Sequence, residues 1–546
     1  MTIGQKIAVL RTAMQISQEQ LAERLEVSRQ SVSKWESDQT IPEVGKILQL
    51  SSLFNVTTDD LLKEEIPLAP TYTETLFRPK ESVVFNGRYF GTDGFRGEAN
   101  EMLTAMHSFK IGRFLGWYYS SNHSDGKKAR IVIGKDTRRS SYMLEYAMVA
   151  GITSSGADAY MLHVTTTPSV SYVVRQELFD CGVMISASHN PFYDNGIKLV
   201  NGSGEKMDDC TLALIEDYID GKLSKLGIEG ADLPLAVRDK LGCVIDYVAG
   251  RNRYVGFLIS VAANSYRSLR VAIDCANGSS WMIAKAVLSA LGAQVSVINA
   301  EPDGVNINEQ AGSTHIGALR KYVREQKMDV GFAFDGDADR CIAVDENGNI
   351  VNGDHVLYIL ARRLRDKGLL PGNKVVTTIM SNIGLYKALD EAGIGYIQTT
   401  VGDRYVHDAM IENNYYLGGE QTGHTIIRKY ATTGDGILTA IMLLEEMVDK
   451  KASLGELAAP VTMYPQSIRN VRVSDKGAVA SNEEIKALLD EISVALGSDG
   501  RILLRESGTE PVVRIMAESG SQRVCEAYTA RVEDLIRRLG FCKKEK

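Results

Sequence analysis

Apolar residues recur at helical spacing through residues 1–66. "IGQKIAVLRTAM", "SQEQLAERL" with Ser17 as its N-cap, "RQSVSKWE", "IPEVGKILQLSSLF" and "TTDDLLKE" predict five short helices, with a turn at Glu26-Val27-Ser28. The period is then lost. Pro67, Pro70 and Pro79 punctuate a stretch read as a linker over 67–85. Beyond it the pattern becomes strand, loop, helix, repeated. "ARIVIG", "DAYMLHV" and "GVMIS" are strands, with the helix "SSYMLEYAMVAGITSSG" among them. A second set begins at "LRVAID" and continues through "SWMIAKAVLSALG", "QVSVIN", "DVGFAF" and "CIAVDE". A third runs from "KVVTTIM" through "GLYKALDEAG" to "YIQTT". Apolar strands alternating with helices of this length predict parallel or mixed sheets covered on both faces. The sets resemble one another without a fixed period, and their boundaries are placed at 86–245, 246–352 and 353–465. Residues 466–546 differ: two helices and the strands "RILLR" and "VVRIMAES" form a small α+β unit. Its helix "SNEEIKALLDEISVALG" is read as opened by a capping box of Ser481 and Glu484.

Composition narrows the class. The formal charge of −8 over 546 residues argues against a chain devoted to nucleic acid. Seven cysteines with no CxxC pair fit a reducing compartment and supply no structural zinc site. There is no secretory leader and no apolar run of about 18 residues, so a cytoplasmic protein with no membrane partner is expected.

Several loops carry candidate chemistry. "GVMISASHNPFYDNGIK" ends an apolar strand in two serines, a histidine and an asparagine; it reads either as a turn or as a nucleophile at the mouth of an α/β sheet. "DGDADR" places Asp335, Asp337 and Asp339 at alternate positions. Clustered carboxylates repel unless a cation or a basic group compensates them, and oxygen ligation suits Mg²⁺ or Ca²⁺; a merely solvated loop is the plainer alternative. An EF-hand would use the same aspartates with Glu346, but Arg340 stands where that loop needs glycine and the flanks read as strands. In "RESGTEPVVR", Ser507, Gly508 and Thr509 lie between Arg505 and Arg514, which suits a phosphate dianion; a hairpin turn with unrelated arginines is the plainer alternative. "LGGEQTGH" alternates Glu420 and Thr422, suited to sugar hydroxyls, ahead of His424; a plain turn fits it equally well. "GTDGFRG" with Arg96 and "GKDTRRSS" with Arg138 and Arg139 read more readily as surface turns. A serine nucleophile, a cation loop and a phosphate clamp together describe phosphoryl transfer.

"GTDGFRG", "SASHNP", "DGDADR", "GGEQTGH" and "RESGTEP" occur in the order and spacing of the α-D-phosphohexomutases, and residues 86–546 resemble that family throughout. "PDGVNINEQAGSTH", "ATTGDGILTA" and the double glycine before Gln421 resemble its phosphoglucosamine mutase branch. The resemblance implies an α/β fold of three related domains and a C-terminal α+β domain around a cleft. It implies Ser188 as the phosphorylated serine, one Mg²⁺ held by Ser188, Asp335, Asp337 and Asp339, and Arg96, His189, Lys198 and His424 beside the reacting oxygen. It implies Glu420, Thr422, Arg340, Gly402 and Asp403 at the sugar, and Arg505, Ser507, Gly508, Thr509 and Arg514 at the non-reacting phosphate. The expected reaction converts glucosamine 6-phosphate to glucosamine 1-phosphate through a hexosamine 1,6-bisphosphate. Thr422 departs from the serine usual in the branch, and Glu506, beside the clamp, is expected to face solvent.

Residues 1–66 resemble a Cro/repressor-type helix-turn-helix, an all-α domain preceding the mutase. Arg29, Gln30, Ser31, Ser33 and Lys34 would line a recognition helix reaching DNA. The stretch holds 7 Lys+Arg against 10 Asp+Glu, so non-specific DNA attraction should be weak; a protein-interaction or dimerisation domain is the alternative. The expected partners are thus a hexosamine phosphate, DNA through residues 1–66, and a second copy if the chain is a homodimer. Phosphomannomutase or phosphoglucomutase activity, or a transcription regulator that uses the mutase fold as a sugar-phosphate sensor, are the rival functions.

Overall fold

The computed structural model describes residues 2–13, 17–25, 27–54, 56, 58–62, 87–123, 127–228, 230–506 and 511–542. The chain divides into two compact units, Met1–Phe85 and Asn86–Lys546. The expected linker at 67–85 lies outside the described residues.

The N-terminal unit contains α1 (Ile3–Ala13), α2 (Gln18–Arg24), α3 (Arg29–Glu36), α4 (Val44–Phe54) and α5 (Thr58–Leu62). Their apolar faces meet in one core that includes Ile7, Leu21, Ala22, Val32, Trp35, Leu50 and Phe54. Ser17 caps α2 as expected, its Oγ accepting from Gln20 N at 3.1 Å. Glu36 joins three helices: it pairs with Arg11 of α1 and accepts from Gln18 Nε2 of α2 at 2.8 Å.

Among the described residues the larger unit forms four sheets. The first has β1 (Phe90–Gly91), β2 (Gly94–Glu98), β3 (Arg130–Lys135), β4 (Asp158–Val164), β5 (Cys181–Ile185), β6 (Asp194–Asn201) and β7 (Val244–Asp246), in the order β1-β2-β6-β5-β3-β4-β7. The second has β8 (Arg270–Asp274), β9 (Gln294–Ile298), β10 (Val330–Phe334), β11 (Cys341–Val344) and β12 (Ile350–Val351), in the order β12-β11-β10-β8-β9. The third has β13 (Lys374–Thr378), β14 (Gly395–Thr399), β15 (Leu417–Gly419) and β16 (Thr425–Ile427), in the order β14-β13-β15-β16. The fourth, β17 (Gln466–Arg472), β18 (Gly500–Glu506) and β19 (Val512–Ser519), is antiparallel, and helices Glu483–Leu496 and Gln522–Arg538 complete it.

The first three sheets share one device. A buried strand pairs in parallel with the sheet centre, then turns back into an antiparallel neighbour: β5 into β6, β10 into β11, β15 into β16. The three turns are the loops "SASHNP", "DGDADR" and "GGEQTGH", at the carboxyl ends of parallel strands, where α/β sheets place ligands.

The expected capping box is corrected. Ser481 belongs to an earlier short helix, Lys476–Ser481, and its Oγ donates back to Gly477 O at 2.7 Å. The cap of the next helix is Asn482, whose side chain accepts from Glu484 N and Ile485 N. Among the described residues no helix is long and apolar enough to cross a membrane.

Candidate active site

β5 is fully buried, and the turn after it holds Ser188 at φ +53 with 1% of its surface exposed. A left-handed backbone is uncommon for a residue with a Cβ. Here it aims the hydroxyl across to the second sheet, where Ser188 Oγ donates to Asp335 Oδ2 at 2.6 Å. His189 Nδ1 lies 3.3 Å from Ser188 Oγ, and burial, then the charges of Arg340 and Arg96, pull the His189 pKa down to about 4.

Asp335, Asp337 and Asp339 leave β10 together and are all buried, with one carboxylate oxygen from each within 4.8 Å of the others. Burial, and then the Asp339 and Asp337 charges, push the Asp335 carboxyl well above the usual range. Asp337 Oδ1 and Asp339 Oδ1 are shut off from solvent and find no hydrogen-bond partner among the described residues. Buried acceptors are seldom left unpaired, and an all-carboxylate set suits a hard divalent cation, so these residues fit a metal site. The EF-hand alternative fails on its flanks, which are β10 and β11 rather than helices.

Basic groups close around the triad. Lys198 on β6 reaches Asp337 at 2.7 Å and both Asp339 and Asp93 at 3.3 Å. Burial works to lower the Lys198 pKa, but Asp337, Asp93 and Asp339 outweigh it and hold it well above its ordinary value. Arg96 on β2 pairs with Asp93. His424, 3% exposed, stands 3.8 Å from Asp339 and 3.6 Å from Asp403. Burial opposes its charge, yet the hydrogen bond and charge of Asp339, with Asp403 and Glu420, raise its pKa to about 9. The Gly434 N–H, 3.2 Å from His424 Nε2, is the contact that favours the neutral ring. Arg340 Nε is 4.0 Å from Asp339, a looser approach.

The third sheet supplies a polar rim. Glu420 accepts from the Gly402 N–H at 3.0 Å and from Thr422 Oγ1 at 3.3 Å; Gly402, at φ +134, opens the helix begun by Asp403. In the fourth sheet Arg505 and Arg514 face each other across the β18–β19 ladder and line a cavity of about 210 Å³ with Met380, which follows β13. Burial first, then the Arg514 charge, lowers the Arg505 pKa, and the Glu420 carboxylate partly offsets this. Ser507, Gly508 and Thr509 lie outside the described residues. Glu506 is exposed, as expected.

Geometry thus gathers Ser188, His189, Lys198, Arg96, the three aspartates, Arg340, His424, Asp403 and Glu420 into one cluster. It also adds residues that sequence reasoning passed over. Asp93 lies in "GTDGFRG", where Arg96 is the residue that draws notice. Lys206, which pairs with Asp403 at 2.7 Å and Asp93 at 3.3 Å, carried no local signal. Arg138, read as belonging to a surface turn, is corrected: its side chain is fully buried, bound to Asp136 and to the backbone of the Ser188 turn. Its position directly after the strand β3 was the available clue.

In the N-terminal unit Arg29, Gln30, Ser33 and Lys34 form an exposed face of α3, whereas Ser31 is turned toward the N-cap, 2.9 Å from Ser28 Oγ.

Comparison with known proteins agrees with this arrangement. Residues 87–225, 250–348 and 352–464 match the models for phosphoglucomutase/phosphomannomutase alpha/beta/alpha domains I, II and III, and 469–535 the C-terminal domain. Residues 7–61 match a helix-turn-helix model. A phosphoglucosamine mutase of Lachnospira eligens is 60% identical over 455 residues, 83% of this chain and 99% of the relative. That of Bacillus subtilis is 47% identical over 451 residues, covering 83% and 98%. Among solved structures, a phosphoglucomutase/phosphomannomutase family protein from Burkholderia thailandensis superposes with TM-score 0.68 at 23% identity over 82% of this chain and 96% of its own. An Aspergillus fumigatus N-acetylphosphoglucosamine mutase, solved with GlcNAc-6P and magnesium, gives TM-score 0.58 at 17% identity over 83% and 96%. From Asn86 onward the chain therefore belongs to the phosphoglucomutase/phosphomannomutase family of intramolecular phosphotransferases, the α-D-phosphohexomutases, in its phosphoglucosamine mutase branch.

Proposed function

We propose that this chain interconverts glucosamine 6-phosphate and glucosamine 1-phosphate, with Ser188 carrying the phosphoryl group between them. The observation that carries this reading is the buried Ser188 hydroxyl, 2.6 Å from Asp335 and ringed by Lys198 and His424 through Asp337 and Asp339. The names of relatives 60% and 47% identical support the amino sugar.

Asp335, Asp337, Asp339 and the Ser188 phosphate would hold one Mg²⁺, which supplies positive charge against the transferring group. The chain's own residues do the rest. In the first half-reaction the bond from phosphorus to Ser188 Oγ breaks and one to the sugar O1 forms. The O1 proton leaves and Ser188 Oγ regains one, so charge and atoms balance. Proton relay falls to Lys198 or His424, the two basic groups beside Asp339. The resulting hexosamine 1,6-bisphosphate turns end over end, and its 6-phosphate returns to Ser188. Arg505 and Arg514, with Ser507, Gly508 and Thr509, grip the phosphate that is not reacting. Glu420, Thr422, Arg340, Gly402 and Asp403 meet sugar hydroxyls, a set polar enough to accept both orientations. His189, its pKa depressed, is neutral and accepts or donates at the serine, and Arg96 adds positive charge there. Under this reading residues 86–245, 246–352, 353–465 and 466–546 are mutase domains I to IV.

Intact-mass measurement on enzyme taken during turnover tests it: Ser188 carries one phosphate, and Ser188→Ala loses nearly all activity on glucosamine 6-phosphate. An unphosphorylated wild-type enzyme at full rate would sink the mechanism. Glucose and mannose 6-phosphates in the same assay test the sugar.

A second reading concerns residues 1–66. The exposed α3 face of Arg29, Gln30, Ser33 and Lys34 supports DNA binding through the major groove. A salt-dependent gel shift on one promoter fragment, lost in Arg29→Ala, is expected; no retention on any genomic fragment ends this reading.

A further inference from the structure

Ser188 must return to the same place twice per cycle, once after giving up its phosphoryl group and once to receive it again. Its backbone is in the left-handed region, which the residue itself does not favour. Something must therefore hold that turn, and the structure has a holder built from two domains.

From the first domain comes Arg138, fully buried, with its Nε fixed on Asp136 Oδ2 at 2.8 Å. Its Nη2 donates to Ser188 O and Asn190 O, both at 2.9 Å, and its Nη1 to Pro191 O and, at 3.1 Å, to Asp194 O. From the second domain comes Asn308, whose Nδ2 donates to the same two carbonyls, Ser188 O at 2.9 Å and Asn190 O at 3.0 Å. A primary amide has two N–H groups, one for each carbonyl. The metal loop closes the third side: a Cβ placed on Gly336 would come within 2.5 Å of Ser188 O and 3.2 Å of Asn308 Nδ2. The Ser188 peptide is thus pressed between Gly336 and Asn308, with Arg138 behind it.

We infer that Asn308 is a positioning residue for the Ser188 nucleophile: it clasps the turn across the domain boundary and sets the hydroxyl on Asp335. The inference rests on Ser188 as the phosphoryl carrier. Asn308 is itself held, at φ +59 with its N–H on Ala276 O at 2.8 Å. It meets the serine only through that residue's backbone. Its loss therefore acts on the reaction step and not on substrate capture, which belongs to Arg340 and to residues of the third and fourth domains. Since the same serine serves both half-reactions, both slow together.

The backbone suggests clean variants. Asn308→Gly removes the amide, and glycine accepts φ +59 without strain. Asn308→Asp keeps the shape but turns an acceptor toward two carbonyl oxygens. In the full-length enzyme, Asn308→Gly is expected to lower kcat by about 10- to 100-fold with KM for glucosamine 6-phosphate within about twofold, the range typical of residues that orient a reacting group from behind. Asn308→Asp is expected to be at least as slow. Rapid-quench transfer from phosphorylated Ser188 should slow by the same factor as kcat, while melting temperature does not follow that order. The inference is overturned if both variants keep wild-type kcat. It is equally overturned if the loss appears in KM, or if it tracks melting temperature across the two. Wild-type phosphoserine stoichiometry, measured alongside, separates the possibilities: absent phosphate refutes the carrier, whereas full phosphorylation with an unimpaired Asn308→Gly refutes the clasp alone.

Discussion

Asp354 is fully buried and one of its two carboxylate oxygens has no hydrogen-bond partner among the described residues, while the other accepts from Asn382 N at 2.8 Å. Burial pushes its pKa up to about 7, the Asn382 N–H and then the nearby Ser381 hydroxyl pulling against it, Glu518 adding to it and Arg501 opposing. Its pKa is raised on folding, so the folded state keeps a proton that the unfolded chain releases near pH 3.8. The stabilisation this gives is complete below that value and is lost as pH climbs through about 7. Asp354→Asn, neutral throughout, should gain on the wild type across this window by up to about 1.4 kcal/mol per pH unit. Parallel curves of melting temperature against pH for the two proteins would refute the assignment. The same scale explains which site residues were legible. Ser188, the three aspartates and Glu420 lie in loops whose chemistry is odd for a plain turn, and Lys198 stands on the strand just after one of them. Arg138, Asn308 and Lys206 act on partners 50, 120 and 197 residues away, a separation no local pattern records.

Elements were read more completely than their ends. The strands β3, β8, β10, β13 and β19 stand where apolar runs bounded by polar loops placed them, because burial on both faces leaves a continuous signal. The start of helix Glu483–Leu496 was missed by one residue. Ser481, Asn482 and Glu484 offer two overlapping caps, and the short helix ending at Ser481 decides between them. Asn482→Ala should therefore cost about 1 kcal/mol, seen as a lower denaturation midpoint, and Ser481→Ala less than half of that. The reverse order would restore the box read from sequence. Register links two further pairs on the β18–β19 ladder: Arg501 opposite Glu518, and Arg505 opposite Arg514. Arg501 also donates to Ile379 O at 3.1 Å and to Ser381 O, and Glu518 accepts from Ile383 N at 3.3 Å. The strands that carry Arg505 and Arg514 are the ones that anchor their sheet to the third domain.

At the scale of the whole molecule, fold class followed from alternation of strands and helices, while the order of strands within each sheet did not, because pairing depends on long-range contacts. Each of the two units has its own buried core, that of the N-terminal one drawn from residues between Ile7 and Leu61. Removing residues 1–66 is accordingly expected to leave kcat/KM on glucosamine 6-phosphate within about twofold, since the larger unit has a core of its own. A collapse of activity in the shortened chain would show that the units cooperate. One polypeptide nonetheless fixes their dosage. Whatever sets the amount of catalyst in a cell sets the amount of helix-turn-helix unit in equal number, and synthesis or breakdown of one is synthesis or breakdown of the other. The helix-turn-helix unit thus has no supply independent of the mutase: the two are made one for one.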